Sequence, residues 1–190
     1  MVRTASKCTT HARVTGSFTP GERSNMEIFT VPNDIVVVEK GLVPKNTDYV
    51  IIPEGVTTIS EGAFAGLRNL RSVFIPKSVR KIGTAAFRGC KSLKIITLPP
   101  GVSSIEDYTF YECINLRVVN VPTSVKRIGN YAFSKCINVR NINIPDEVVE
   151  IGRLAFAGDA NLTIFIDQCI ERKTGKYAFA CCKITGYLED

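Results

Sequence analysis

Four cationic side chains recur in this sequence at a spacing of 23 residues and are its most distinctive candidates for chemistry. They are Arg71, Lys94, Arg117 and Arg140. If units of this length stack as rungs of a sheet, the cations form a column with a spacing of ~5 Å, well inside a Debye length of about 8 Å, and repel one another. Such a column is either ordinary solvated surface or a binding stripe for an acidic protein surface or a phosphate backbone.

Residues suited to catalysis are scarce. The only histidine is His11, which excludes histidine-based triads and histidine metal clusters. The sequence has no P-loop, GxGxxG or GxSxG motif. The paired carboxylates Glu106-Asp107 and Asp146-Glu147 are expected on solvated corners. We therefore expect a protein that is not an enzyme and has no cofactor and no metal.

Seven cysteines are present, and most fall in one repeating position. This position is held by Cys90, Cys113, Cys136 and Cys182. Leu67 and Asp159 occupy the same position in other units, and a disulfide or metal ladder would not tolerate them. The thiols are therefore interpreted as reduced, buried, small apolar groups, which favours an intracellular compartment.

The same spacing of 23 residues runs through most of the chain and predicts its architecture. Phenylalanine recurs at Phe64, Phe87, Phe110, Phe133, Phe156 and Phe179. Proline recurs at Pro53, Pro76, Pro99, Pro122 and Pro145. Strict self-similarity at this period is typical of a solenoid, in which each unit packs only on its neighbours. We predict that the phenylalanine column lies in the core.

Each unit is predicted to contain one short strand, a corner and one tight helical turn. Val73 and Ile75 alternate as in a strand, and Pro76 ends that strand because proline cannot donate to a sheet ladder. The run from Ala85 to Leu93 has apolar residues three positions apart, which suits a helical or 3₁₀ turn.

The repeats divide the chain into four predicted segments. They are a flexible basic tail over residues 1–25, an N-terminal cap over 26–52, five repeats of 23 residues over 53–167, and a degenerate sixth repeat over 168–190 that acts as the C-terminal cap. Ile28–Val31 and Ile35–Val38 are β-rich runs around a turn, so we expect a hairpin that covers the unpaired end of the solenoid.

Charge and hydropathy indicate a soluble protein. The net charge is +6, of which residues 1–25 carry +3, with four cations and one acid. No apolar run approaches the ~18 residues of a membrane span, and residues 1–25 lack the apolar core of a secretory signal. We expect an intracellular, cytoplasmic location. The alternatives are a mitochondrial location, with residues 1–25 as targeting peptide, and a cell surface reached by a non-classical route.

Two side chains of each strand should face outward and form the candidate binding surface. In chain order these are Tyr49, Ile51, Ser72, Phe74, Ile95, Thr97, Val118, Asn120, Asn141, Asn143, Ile164 and Ile166. The early rungs are unusually apolar, and exposed apolar patches mark protein contacts. The alternative is that the cap or the tail folds over this patch. The partner-binding residues that we predict are Tyr49, Ile51, Arg71, Phe74, Lys94, Ile95, Thr97, Arg117, Val118, Asn120, Arg140 and Asn143.

The unit consensus, IPxxVxxIGxxAFxxCxxLxxV, resembles the BspA-like leucine-rich repeat family. One unit matches at Ile75-Pro76, Val79, Ile82-Gly83, Ala86-Phe87, Cys90 and Leu93. The better-known leucine-rich repeat carries an asparagine ladder at a place that is occupied here by Ser78, Gly101, Ser124 and Glu147. The resemblance implies an α/β repeat solenoid, a right-handed leucine-rich-repeat superhelix with a parallel β-sheet on one face and short 3₁₀ or helical turns on the other. It also implies adhesion or protein binding, without a catalytic motif.

The sequence therefore predicts a non-catalytic protein–protein interaction module that binds its partner through the sheet face. One alternative is a subunit of a nucleoprotein assembly that contacts RNA, or another polyanion, through the cationic column and the basic tail. The other is a BspA-like surface adhesin. Binding that collapses between about 50 and about 200 mM salt would favour RNA.

Overall fold

The computed structural model describes residues 11–13, 26–158, 161–165 and 174–184. Within these ranges the chain forms fifteen short strands. Nine of them build one face: β1 (His11–Arg13), β2 (Glu27–Thr30), β4 (Tyr49–Ile51), β6 (Ser72–Phe74), β8 (Ile95–Thr97), β10 (Val118–Asn120), β12 (Asn141–Asn143), β14 (Thr163–Phe165) and β15 (Lys183–Ile184). Six follow the corners: β3 (Val37–Val38), β5 (Thr58–Ile59), β7 (Lys81–Ile82), β9 (Ser104–Ile105), β11 (Arg127–Ile128) and β13 (Glu150–Ile151).

The first face is a parallel sheet, as predicted. Strands β2, β4, β6, β8 and β10 pair in this order, and Val73 pairs with Val50 in register. Strands β12, β14 and β15 form a further parallel sheet. Strand β1 pairs antiparallel with β2 and covers that edge of the sheet. The paired strands span six turns of a β-solenoid, while the right-handedness of the superhelix stays a prediction.

The corners carry a second set of parallel strands that the sequence did not predict. Strands β3, β5 and β7 form one ladder, and β9, β11 and β13 form another. Ile59 pairs with Ile82, and Ile105 pairs with Ile128, so the isoleucine that follows each corner is stacked and buried. Each coil therefore has two strands and one segment of turns.

The expected 3₁₀ or helical turns are not confirmed, because the described residues contain no helix. The amide of Ala65 donates to the Gly62 carbonyl in its own coil over 3.0 Å, whereas the amide of Phe64 donates to Ala86 of the next coil over 2.8 Å. Alternate amides of the turn segment thus bond to the next coil instead of their own. Two residues in each turn segment, such as Gly62 and Gly66, have left-handed φ angles, and a left-handed residue ends a right-handed helix.

Among the described residues, no helix is long and apolar enough to cross a membrane.

The predicted hairpin over residues 26–52 is wrong. Its two β-rich runs do not pair with each other. Phe29 pairs in parallel with Val50, and Val38 pairs in parallel with Ile59. The segment is a further coil in the same sheets, with a spacing of 21 residues instead of 23. The missing two residues took this coil out of the period on which the prediction depended.

The phenylalanine column forms the centre of the core, as predicted. Neighbouring rings stack with centroids 5.0 to 5.7 Å apart and interplanar angles of 7° to 15°. From Phe64 to Phe156 each ring is at most 2% exposed. Because parallel strands are about 4.8 Å apart, the sheet sets the spacing of the rings and the rings in turn fill the space between coils.

The cysteine column is buried, with free thiols at Cys90, Cys113 and Cys136. Its thiols also have a polar role that composition did not show. The Cys90 Sγ donates to the Phe64 carbonyl over 3.1 Å, and the same bond recurs one coil later from Cys113 to Phe87. A thiol is therefore small enough for the core and still satisfies a buried carbonyl.

We expect Phe110→Ala to lower the free energy of unfolding by about 3–5 kcal/mol, because it leaves a cavity in the middle of the ring stack. Since solenoid stability is a sum of nearest-neighbour terms, the loss should also uncouple the two halves and give a two-step melt. Calorimetry and urea unfolding measure both effects. Phe74→Ala, at an exposed ring, is the matched control. A single unchanged transition in Phe110→Ala would refute the register.

Burial raises the pKa of the Cys90 thiol from 9.0 to about 12. The folded chain therefore keeps a proton that the unfolded chain has lost between these pH values, so this thiol makes stability fall as pH rises through that window. Each such thiol changes the unfolding free energy by at most about 1.4 kcal/mol per pH unit. Urea unfolding from pH 8 to 11 should show a flatter decline for Cys90→Ala than for the wild type. Equal slopes would contradict the assignment.

Candidate protein-binding surface

The predicted outward side chains on the early rungs do face solvent. Ile51, Phe74, Ile95 and Val118 are 43, 61, 52 and 53% exposed, while Tyr49 and Ser72 are half-buried. The residue between each outward pair, such as Val73 or Ile96, is buried, because side chains alternate along a strand. Four large apolar side chains therefore lie on consecutive strands of one sheet. We call this set the apolar patch.

The later rungs are polar. Thr97 and Asn120 are exposed beside the apolar patch, and Asn141 and Asn143 are exposed on the next strand. The last predicted rung is wrong at Ile164, which pairs with Ile142 and is buried. The spacing there is 22 residues, so Thr163 and Phe165 face outward instead. Ile166 lies outside the described residues.

The four predicted cations stand in one column beside the apolar patch. The main chain fixes the spacing of the first three, since the Lys94 amide donates to the Arg71 carbonyl over 3.1 Å and the Arg117 amide donates to the Lys94 carbonyl over 2.8 Å. Arg71 is neutralised, with its Nε 3.4 Å from the Asp48 carboxylate. Lys94, Arg117 and Arg140 are exposed and form no ion pair with any described residue. The last three are the cationic column from here on.

The sheet opens between β10 and β12, where no strand pairing links the two ladders. The turn segment remains continuous at this point, with Phe110 and Phe133 stacked at 5.2 Å. The opening forms a surface groove lined by Arg117, Val118, Val119, Asn138, Arg140 and Asn141. Two cations of the column, Arg117 and Arg140, therefore line this groove.

The carboxylates at residues 106 and 107 form part of an ion-pair network centred on Arg127. Its guanidinium lies 3.2 Å from Glu106, 3.0 Å from Asp107 and 3.3 Å from Glu150. Burial disfavours the charged form of Asp107, but hydrogen bonds from Asn130 and Arg127 outweigh this and lower its pKa. The network joins three successive coils and stabilises their alignment. No group of three metal-binding side chains occurs in the described ranges.

An aromatic cluster on the turn segments was missed by the sequence interpretation. Tyr108 and Tyr131 stack with centroids 5.0 Å apart, and Tyr111 meets both edge-on. Tyr108 and Tyr131 share a column with Tyr177 at the repeat spacing. The recurrence of tyrosine at this position could have predicted the cluster from the sequence. It was missed because the helical turn that we expected there did not place these side chains on the surface.

Comparison with known proteins identifies the repeat. The profile of a family described as "BspA type Leucine rich repeat region" matches six copies over residues 42–163. A leucine-rich repeat protein from Bacteroides ovatus is 31% identical, with a TM-score of 0.66 over 80% of this chain. The chain spans 46% of the length of that protein. No curated protein matches the chain.

Two further solved structures show the same fold. The T. pallidum leucine-rich repeat protein is 27% identical, with a TM-score of 0.63 over 92% of this chain and 82% of its own. The pneumococcal vaccine antigen PcpA is 18% identical, with a TM-score of 0.50 over 73% of this chain and 46% of its own. The likeness to PcpA extends to the fold alone.

The two kinds of arginine should respond differently to substitution. We expect Arg117→Gln to change the free energy of unfolding by less than about 0.5 kcal/mol, with a slight gain at low salt as repulsion in the column is relieved. Arg127→Gln removes the shared counter-ion of three carboxylates. Even after discounting for a side chain that is one-third exposed, it should cost about 1–2 kcal/mol. Urea unfolding at low and moderate salt compares them. Equal destabilisation would show that the cationic column is itself a structural network.

Proposed function

We propose that this chain, which belongs to the BspA-type leucine-rich repeat family, is a non-catalytic protein-binding module whose partner contacts the outward face of the main sheet. The observation that carries the proposal is the apolar patch. Its four large side chains are 43–61% exposed on consecutive strands, and no described segment covers them. Exposed apolar clusters of this kind mark protein contacts.

The charges beside the patch indicate the chemistry of the partner. Three exposed cations, Lys94, Arg117 and Arg140, border the apolar side chains and lack counter-ions among the described residues. A partner surface with an apolar centre and a row of carboxylates at one side complements this arrangement. The carboxylates would steer association and fix the register, while the apolar centre would supply most of the affinity.

A phosphate backbone is the second candidate for the cationic column. The unpaired cations favour it, and such binding would be non-specific and salt-sensitive because the column offers no base readout. Adhesion is the same protein-binding activity at a cell surface. An intracellular location stays our expectation from the sequence, because buried free thiols are typical of reducing compartments.

Affinity purification from the native lysate, with and without nuclease, tests the proposal when wild type and variants are compared. Phe74→Ala combined with Ile95→Ala removes the centre of the patch. Val149→Ala is the matched control, because Val149 is 48% exposed but precedes a corner strand. We expect a partner that survives nuclease, remains with the control variant and is reduced at least about thirtyfold with the double variant, as for an interface hot spot.

Other outcomes separate the alternatives. Partners that disappear with nuclease would mean that the chain holds RNA. A partner whose capture is unchanged by Phe74→Ala with Ile95→Ala would mean that the sheet face is not the binding surface. Both variants should melt like wild type, since the substituted side chains are exposed.

A further inference from the structure

The turn face carries a cluster of three tyrosines, Tyr108, Tyr111 and Tyr131, which we call the aromatic wall. Tyr108 stacks on Tyr131 with an interplanar angle of 5°, and the Tyr111 ring lies edge-on at 5.7 Å from Tyr108. The stack follows the solenoid axis because Tyr108 and Tyr131 are equivalent residues of adjacent coils. The second face of Tyr108 is therefore directed toward the preceding coil, where the equivalent residue is Ala85. The column thus ends there in a methyl group.

An open trough lies beside this wall. It is lined by Ala65, Gly66, Arg68, Arg88, Gly89, Lys91 and Glu112. Its floor is bare, since a Cβ atom added at Gly66 would meet no atom within 4 Å. A flat ring can therefore approach the backbone in the trough, whose Glu112 directly follows Tyr111 of the wall.

The trough has a positive rim. Arg68, Arg88 and Lys91 form no ion pair with any described residue. The Arg88 guanidinium carbon lies 5.5 Å from the centroid of Tyr111, which orients it at the aromatic wall. Glu112 is the one acid in the lining, and Lys135 neutralises it over 2.9 Å.

Left-handed backbone recurs at two equivalent positions of each coil from Gly62 onward. Tyr108 and Tyr131, with φ values of 57° and 55°, occupy the first of these positions, and Ala85 has a φ value of 54° there. The stacked tyrosines therefore project from the same backbone conformation as Ala85.

We propose that the tyrosine wall and the adjoining trough together bind a nucleotide unit, with the base stacked on the free face of Tyr108 above Ala85 and the phosphate held in the trough by Arg88 and Lys91. Aromatic stacking beside a cationic groove is the usual way in which proteins hold single-stranded nucleic acid, and it tolerates every base. A free nucleotide and one residue of a single strand present the same chemistry. The site is separate from the sheet face and does not rest on the function proposed for that face.

The substitution Ala85→Tyr tests the slot directly. The column already holds tyrosine at this backbone conformation, so the new ring should continue the stack and fill the space meant for the base. Leu154→Tyr makes the same change on the other side of the Tyr108–Tyr131 stack, where φ is 53° beside 54° at Ala85. Tyr108→Gly removes the stacking ring and relieves the left-handed strain, which keeps the test valid if Ala85→Tyr fails to fold.

Fluorescence anisotropy with a labelled strand of about eight thymidines, at about 50 mM salt, is the measurement. We expect Ala85→Tyr and Tyr108→Gly to weaken binding at least about fivefold, and Arg88→Gln with Lys91→Gln to weaken it and flatten its salt dependence. Leu154→Tyr should bind like wild type. Competition by adenosine monophosphate identifies a free-nucleotide site, whereas binding of the strand alone identifies a single-strand site.

Three results would overturn the proposal. One is the absence of strand and mononucleotide binding by the wild type. Another is equal binding of an abasic strand of the same length, which would show attraction by charge alone. The third is unchanged binding in folded Ala85→Tyr and Tyr108→Gly.

Discussion

The stacking of equivalent residues at the spacing of a parallel sheet is the constraint on which the rest of this structure depends. It is clearest in the phenylalanine column, where six rings lie 5.0 to 5.7 Å apart from Phe64 to Phe179. Main-chain bonds between coils hold the same register, as from Phe64 to Ala86 at 2.8 Å. Every other column inherits this alignment, because shifting one coil would break the rings and the amide bonds together.

This alignment places each residue next to the equivalent residue of the neighbouring coil. Whether that contact is stabilising depends on the chemistry of the side chain. Phenylalanine and tyrosine gain from stacking, and a cysteine thiol gains because it reaches the carbonyl of the preceding coil over 3.1 Å. Serine does the same at Ser78 and Ser124, each 2.7 Å from such a carbonyl, at the place where other leucine-rich repeats carry asparagine. Cationic side chains gain no stability from this alignment, because neighbouring like charges repel one another. The cationic column and the apolar patch are therefore the features that folding does not explain, and we propose that their role is binding.

The sequence predicted the features that strict repetition controls. The parallel sheet, the buried phenylalanines and the outward side chains from Tyr49 to Asn143 follow from one period and the alternation of a strand. Prediction failed where the coil length changes, with a spacing of 21 residues in the first coil, 22 from β12 to β14 and 20 from β14 to β15. It also failed at the turns. Apolar residues three apart fit a helix, but the left-handed φ of residues such as Ala85 and Tyr108 leaves no trace in composition.

The chain therefore offers two different surfaces on one rigid support. The sheet face combines an apolar patch with a row of cations and suits a protein partner. The turn face combines tyrosines with a cationic trough and suits a planar anion. The nucleic-acid interpretation of the sequence rested on the cations of the sheet face and on the basic tail. The turn face offers it a further chemical basis, because stacked tyrosine rings lie near unpaired cations there.

Site-specific photo-crosslinking is the most direct test of the sheet face as the binding surface. A photoreactive phenylalanine analogue at position 74, in the centre of the patch, is compared with the same analogue at position 149, where the native side chain is also exposed, at 48% against 61%. Our account predicts a crosslinked partner from position 74 that nuclease does not remove, and none from position 149. Crosslinks to the same partner from position 149 alone, or from both positions equally, would contradict it.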